Sequence, residues 1–128
     1  MQKPTLGIDF LKSFDENFGQ KFSELSSVDE MNSIAHLAYE WTEFLSEEIA
    51  KRKFEIVGVT TGHQQTNAAI SLINGIKKKN PNIICTMGGS ACDGEMAEGI
   101  QTLSPNIDYI FSGESEISWK KFLENYKR

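Results

Sequence analysis

The chain has 128 residues, the size of a single domain built around one hydrophobic core. Hydrophobic residues make up 39% and charged residues 24%, which is typical of a folded domain and excludes a disordered tail or a fibre. Asp and Glu outnumber Lys and Arg by 18 to 13, and cations cluster only at residues 77–79, so nucleic acid is not an expected partner. The longest apolar runs span only a few residues, so no membrane crossing is expected.

The compartment is predicted from the N-terminus and the cysteines. Residues 1–4 do not begin a basic region followed by an apolar stretch, so we expect no export and a cytoplasmic location. Cys85 lies in an apolar run and Cys92 in a loop, which favours two reduced thiols over a disulfide framework.

Residues 1–53 are expected to form a helical N-terminal segment. Apolar residues in 10–25 recur at spacings of one, three and four, which favours an amphipathic helix. Ser27 and Glu30 have the capping-box spacing, which predicts the start of a longer helix. The apolar residues of that helix repeat every three or four positions to about Lys51.

Residues 54–128 repeat one arrangement three times: a short apolar run, a glycine-bearing turn and an amphipathic helix. The apolar runs at 54–60, 83–87 and 107–111 predict three strands. Strands that are apolar throughout and alternate with helices indicate a parallel sheet covered on both faces. We therefore predict one compact α/β domain with a Rossmann-like or flavodoxin-like doubly wound sheet. Complete sheets of this type usually have about five or six strands, so either residues 1–53 hide a strand or, as we favour, another chain or segment completes the sheet.

The turns after the three strands contain Gly62, Gly88, Gly89 and Gly113. Because the carboxyl ends of parallel strands meet at one edge of a sheet, where open α/β folds bind ligands, these turns predict a ligand site. Glycine there lets the backbone approach a ligand closely or take a positive φ. The alternative is that these glycines only make tight turns, and the residues alone leave both interpretations open.

The sequence contains no established catalytic motif. GxGxxG, GxxxxGK[ST], GxSxG and HExxH are all absent, so dinucleotide binding, nucleotide hydrolysis, esterase and zinc-protease activity lose their motif support. His36 and His63 have no acidic or thiol neighbours at metal-ligand spacing. Cys92 has no evident base, so it is interpreted as a loop thiol, and Glu116 as a first-turn acid that the helix dipole favours. No catalytic residue and no metal ligand is predicted.

Three segments, taken in order, resemble one family. They are residues 54–60, residues 88–96, which read Gly-Gly-Ser-Ala-Cys-Asp-Gly-Glu-Met, and residues 107–116, which end in Gly-Glu-Ser-Glu. With a lysine-rich stretch before a proline, they resemble the cobalamin (B12)-binding domain of B12-dependent radical SAM enzymes. The Cys-Asp-Gly-Glu-Met run and Gln65 are most similar to the branch that matures ribosomally made peptides (RiPP maturation). The resemblance covers about residues 54–124, the last half of such a domain.

The resemblance implies that the loops after the three strands line a corrinoid cleft. The Asp-x-His-x-x-Gly loop that supplies a cobalt ligand in cobalamin mutases is absent, and His63 has no Asp two positions before it, so cobalamin would be held without a histidine ligand. Ser115 stands where the family more often has glycine. The implied cofactor-binding residues are Thr60, Thr61, Gly62, Gln65, Gly88, Gly89, Ser90, Ser112, Gly113 and Glu114.

The resemblance also implies what the chain does not do alone. CxxxCxxC is absent, so this chain is not expected to hold the iron–sulfur cluster that cleaves S-adenosylmethionine. The family's first strand and loop, which bury part of the nucleotide tail, are not found. We therefore expect an excised domain or a small orphan of the family. It would position a corrinoid for methyl transfer, or a related radical modification, by a radical SAM barrel domain or parent chain, with a precursor peptide as a further partner.

Two other hypotheses stay open. The first is a corrinoid-free α/β module that recruits a peptide or protein through its N-terminal helices and open sheet edge. The second is a small thiol enzyme that uses Cys92. An unpaired sheet edge and the phenylalanine-rich N-terminal stretch also predict a homodimer.

Overall fold

The computed structural model describes residues 28–127, which form four helices and three strands. The predicted helix over residues 10–25 and the cap residue Ser27 lie outside the described residues. The chain divides into two units between Trp41 and Thr42. The elements are α1 (Val28–Lys51), β1 (Ile56–Thr60), α2 (Thr66–Lys79), β2 (Ile84–Gly88), α3 (Glu95–Thr102), β3 (Tyr109–Ile110) and α4 (Glu116–Tyr126).

The three strands form one parallel sheet in the order β1-β2-β3. Gly58 lies opposite Thr86, and Thr86 lies opposite Tyr109. The strands alternate with helices along the chain, so the predicted α/β class with a parallel sheet is confirmed.

The third strand is shorter than the run 107–111 predicted. A side chain takes part in its pairing with β2: the backbone N–H of Cys85 donates to Oδ2 of Asp108 at 2.7 Å. In a regular parallel ladder, this N–H would donate to a backbone carbonyl of the neighbouring strand, but here it donates to a side-chain carboxylate. Backbone bonds from Asp108 N to Cys85 O and from Phe111 N to Met87 O still join the two segments.

One face of the sheet carries the hydrophobic core. Val57, Val59, Cys85 and Met87 alternate with residues of the opposite face, as the two-residue period of a strand requires. They belong to a cluster with α2 and α3, in which Ile73 is fully buried. Right-handed crossovers from β1 to β2 and from β2 to β3 advance in the same direction, so both connecting helices cover this same face.

The opposite face, here called the open face, is formed by Gly58, Thr60, Thr86, Gly88 and Phe111. Among the elements of residues 28–127, α4 alone covers it, and α4 packs through aromatic rings. The Trp119 and Phe111 rings meet edge to face with their centroids 5.2 Å apart. The ring centroids of Phe122 and Tyr109 are 5.0 Å apart. Helices therefore lie on both faces of the sheet. No residue of α4 is buried, so α4 covers the open face only in part.

The last turns of α1 pack against α2. Gly75 is buried where the Ser46 side chain meets it, and Ser46 donates its hydroxyl back to Thr42 O at 2.6 Å. Lys79 pairs with Glu43 at 3.1 Å, at the end of α2 where cations are favoured. Glycine and serine, two small residues, therefore let the two helices approach closely.

Two further expectations concern membrane crossing and the redox state of the cysteines. None of the helices within residues 28–127 has both the length and the apolar character that a bilayer span needs. Cys85 and Cys92 are both free and buried, as expected for reduced thiols.

Candidate functional site

The loops that follow the three strands are bonded to one another at the carboxyl edge of the sheet. Thr61 N donates to Gly88 O at 2.7 Å, and Ala91 N donates to Thr61 O at 3.1 Å, which joins the first loop to the second. Gly113 N donates to Cys92 O at 3.1 Å, and this joins the second loop to the third. Backbone hydrogen bonds therefore join the three loops into one continuous rim.

The two adjacent glycines of the second loop have different roles. Gly89 has a φ of 104°, and a Cβ there would lie 2.8 Å from both Thr61 N and Thr60 Oγ1. Its lack of a side chain is therefore required by the fold itself. Gly88 has an ordinary φ, and a Cβ there would make normal contacts of 3.7 Å with Phe111 and Ser115. The fold does not require glycine at 88, so the bare backbone at that position is available for another purpose.

Two cavities lie at this edge and share Thr60, Gly89 and Ser115. The open-face cavity has a volume of about 280 Å³ and extends from the rim down the open face beneath Trp119. The rim cavity has a volume of about 520 Å³ and lies among the loops. The open-face cavity is lined by Gly58, Val59, Thr60, Thr86, Met87, Gly88, Gly89, Phe111, Ser115 and Trp119. The rim cavity is lined by Thr60, Gly89, Ser90, Asp93, Gly113, Glu114, Ser115 and Glu116.

The rim cavity is acidic. Asp93, Glu114 and Glu116 line it, and no Lys or Arg of the described residues belongs to either lining. Three carboxylates repel an anion and accept hydrogen bonds from N–H and O–H donors. The arrangement is therefore poor for a phosphate group and suited to a neutral ligand that is rich in amides or hydroxyls. Within residues 28–127, no three His, Cys, Asp or Glu side chains come together as a metal site.

The cavities bring together six of the ten residues predicted as cofactor contacts. These six are Thr60, Gly88, Gly89, Ser90, Gly113 and Glu114.

The other four predicted contacts are outside both linings and have partners within the protein. Thr61 is buried, and its hydroxyl lies 3.2 Å from Gly88 O. Gly62 donates its N–H to Oε1 of Gln65 at 2.8 Å, so this pair holds the first loop in shape. Ser112 Oγ accepts the N–H of Gly94 at 3.0 Å. These four residues support the rim that the other six line.

Sequence reasoning missed the open-face residues of the site. Gly58, Thr86 and Trp119 line the open-face cavity, yet they lie inside a strand or on a helix and not in the turns. A usable signal was present, since a glycine interrupts the apolar run 54–60 and has the same strand parity as Thr60. Glu116, interpreted as a first-turn acid, does lie in the first turn of α4 and also lines the rim cavity.

The two thiols are buried in the hydrophobic core and line neither cavity. Cys92 is fully buried, with its Sγ 3.4 Å from Thr61 Oγ1, so it does not present a nucleophile to either cavity. Burial raises the pKa of the Cys85 thiol to about 11, with Lys77 acting in the opposite direction and Asp108 in the same direction. His63 is exposed and lies outside both linings.

The fold and the site together define a small parallel α/β domain with two adjoining cavities at the carboxyl edge of its sheet. Comparison of the chain with protein-family models, curated proteins and solved structures finds no match.

Proposed function

We propose that this chain is a cobalamin-binding-type domain that positions a corrinoid for chemistry carried out by a radical SAM barrel domain. The observation that carries the proposal is the bare backbone at Gly88 and Gly58, which borders a cavity continuous with the glycine-rich rim. The sequence resemblance supplies the class of ligand. The hydrogen bonds that join the three loops restrain the rim, which would lower the entropic cost of holding a large, flat molecule there.

The sizes of the open-face and rim cavities support binding of one side of such a ligand. Cavities of about 280 and 520 Å³ are within or below the range of pockets that enclose drug-sized molecules. A corrinoid is much larger than a drug-sized molecule, so these cavities would receive only the part that projects toward the sheet. The opposite side of the ligand would stay accessible to another domain, as transfer of a group to a substrate requires.

The donors and acceptors present also fit this ligand. The periphery of a corrin ring carries amide side chains, and their N–H groups can donate to the carboxylates of Asp93, Glu114 and Glu116. Hydroxyls of Thr60 and Ser90 can accept or donate at the same rim. Because His63 is outside both linings, these residues would hold the periphery of the ligand and would not coordinate its cobalt.

The bound corrinoid would supply a transferable alkyl group, and the residues of this chain would orient the ligand and exclude water from one side. Gly58 and Gly88 would let the ligand approach the backbone of the sheet. Trp119 would provide a flat apolar wall above them. The chain by itself would bind, and the attached or partner barrel would perform the reaction.

Titration of the purified chain with hydroxocobalamin, followed by visible absorbance, tests the proposal. We expect saturable binding by the wild type and a loss of about ten-fold or more in Gly88→Val, because the new side chain enters the open-face cavity. Gly99→Ala is the matched control, since that glycine lies in α3 and a Cβ there meets nothing within 4 Å. Equal affinity of Gly88→Val and the wild type, or no binding by the folded wild type, would overturn the proposal.

A further inference from the structure

The first part of α1 exposes a stripe of large apolar side chains. Ile34, Leu37 and Trp41 are 60%, 64% and 61% exposed. Their spacings of three and four place them on one side of the helix, one turn above another. Scattered single apolar residues on a surface are ordinary, but an aligned set of this size marks an interaction surface.

The same part of the helix is acidic. Asp29 and Glu30 lie in its first turn, and Glu40 borders the stripe three residues after Leu37. No Lys or Arg occurs in residues 28–41. The surface therefore combines an apolar stripe with negative charge, so a complementary partner surface would be apolar and positively charged.

We propose that Ile34, Leu37 and Trp41 form a docking surface for a cationic amphipathic helix supplied by another polypeptide. An amphipathic partner would lay its apolar residues along the stripe, and its Lys or Arg side chains would face Asp29 and Glu40 at the side of the stripe. This interaction surface does not depend on whether the chain binds a corrinoid.

The charge pattern disfavours the other occupants. A second copy of the helix would bring acidic residues against acidic residues. An anionic bilayer would repel the same carboxylates. The phenylalanine-rich residues 10–25 of this chain carry two lysines against three acidic residues, so they complement an acidic surface less well than a cationic helix does.

The proposal is tested with the full chain and a fluorescein-labelled 14-residue helix made of leucine and lysine, by fluorescence anisotropy. We expect saturable binding, and no binding of the same peptide with glutamate in place of lysine. The double variant Leu37→Ser/Trp41→Ser should weaken binding about ten-fold or more. Ile117→Ser is the matched control, because Ile117 is 71% exposed on a different helix, α4, and should leave the affinity unchanged.

Several outcomes would overturn the proposal. One is equal affinity of the double variant and the wild type, and another is an equal loss in Ile117→Ser. A dimer in sedimentation experiments that Leu37→Ser/Trp41→Ser abolishes would assign the surface to a second copy. A wild type that binds nothing, together with a Phe14→Ser/Phe18→Ser variant that gains peptide binding, would assign it to residues 10–25.

Discussion

At the scale of single residues, glycines in the same loop have separate functions. A Cβ at Gly89 would collide with the backbone of Thr61, and its φ of 104° is unfavourable for any L side chain. Gly94 also has a positive φ, of 50°, but a Cβ there would meet nothing within 4 Å. A side chain at Gly94 would therefore suffer backbone strain alone, whereas one at Gly89 would suffer both strain and a collision.

We therefore predict that Gly89→Ala lowers the free energy of unfolding by about 3 kcal/mol or more, through strain and collision together. Gly94→Ala should cost less, about 1–3 kcal/mol, because only the backbone strain applies. Urea unfolding followed by circular dichroism measures both. Equal losses in the two variants would contradict the assignment of Gly89 to the fold.

A buried thiol makes the stability depend on pH in the alkaline range. The pKa of the Cys85 thiol is raised by burial from its ordinary value of 9.0 to about 11. Above pH 9 the unfolded chain loses this proton while the folded chain keeps it, so the unfolded state binds fewer protons. The stabilising contribution is fully present below pH 9.0 and is lost as the pH rises through about 11.

Urea unfolding at several pH values between about 8 and about 11 tests this contribution. The free energy of unfolding should fall with rising pH more steeply in the wild type than in Cys85→Ala. The variant should also be less stable at pH 8 by about 1–2 kcal/mol, because a buried side chain is shortened. Parallel pH curves for the two proteins would show that the thiol is not responsible.

At the scale of elements, the last turns of α1 approach α2 closely at Gly75. A Cβ at Gly75 would collide with the hydroxyl of Ser46 and lie 2.8 Å from its Cβ. We predict that Gly75→Ala lowers the free energy of unfolding by about 1–3 kcal/mol, since alanine overpacks a buried contact although it favours helix formation. Gly99→Ala, at an exposed position in α3, should instead stabilise by about 0.5–1 kcal/mol. Thermal unfolding of both variants is the measurement, and a stabilised Gly75→Ala would contradict the close packing.

The elements were more predictable than the site. Apolar periodicity located α1 to α4 and all three strands, because burial on one side leaves a periodic signal. It overestimated β3, since no local pattern reveals that the Asp108 side chain bonds to the backbone of Cys85. The position of the rim and its glycines followed from topology, because turns after parallel strands share one edge. Gly58 and Trp119 did not, because their meeting depends on α4 packing back across the sheet.

At the scale of the whole molecule, the two faces of the sheet differ in what covers them. Within residues 28–127, α2, α3 and a hydrophobic cluster cover the core face, whereas α4 covers the open face only in part. Partial cover leaves Gly58 exposed in the middle of a strand. The incomplete cover and the acidic rim are the features that a neutral, amide-rich ligand would use.

The most direct test of corrinoid binding uses Trp119 as a reporter. The chain has two tryptophans, so Trp41→Phe leaves Trp119 as the sole one, in the wall of the open-face cavity. Hydroxocobalamin absorbs where tryptophan emits, so a bound corrinoid should quench Trp119 fluorescence. We predict saturable quenching that Gly88→Val weakens. Quenching no greater than that of free N-acetyltryptophanamide at the same corrinoid concentration would contradict it.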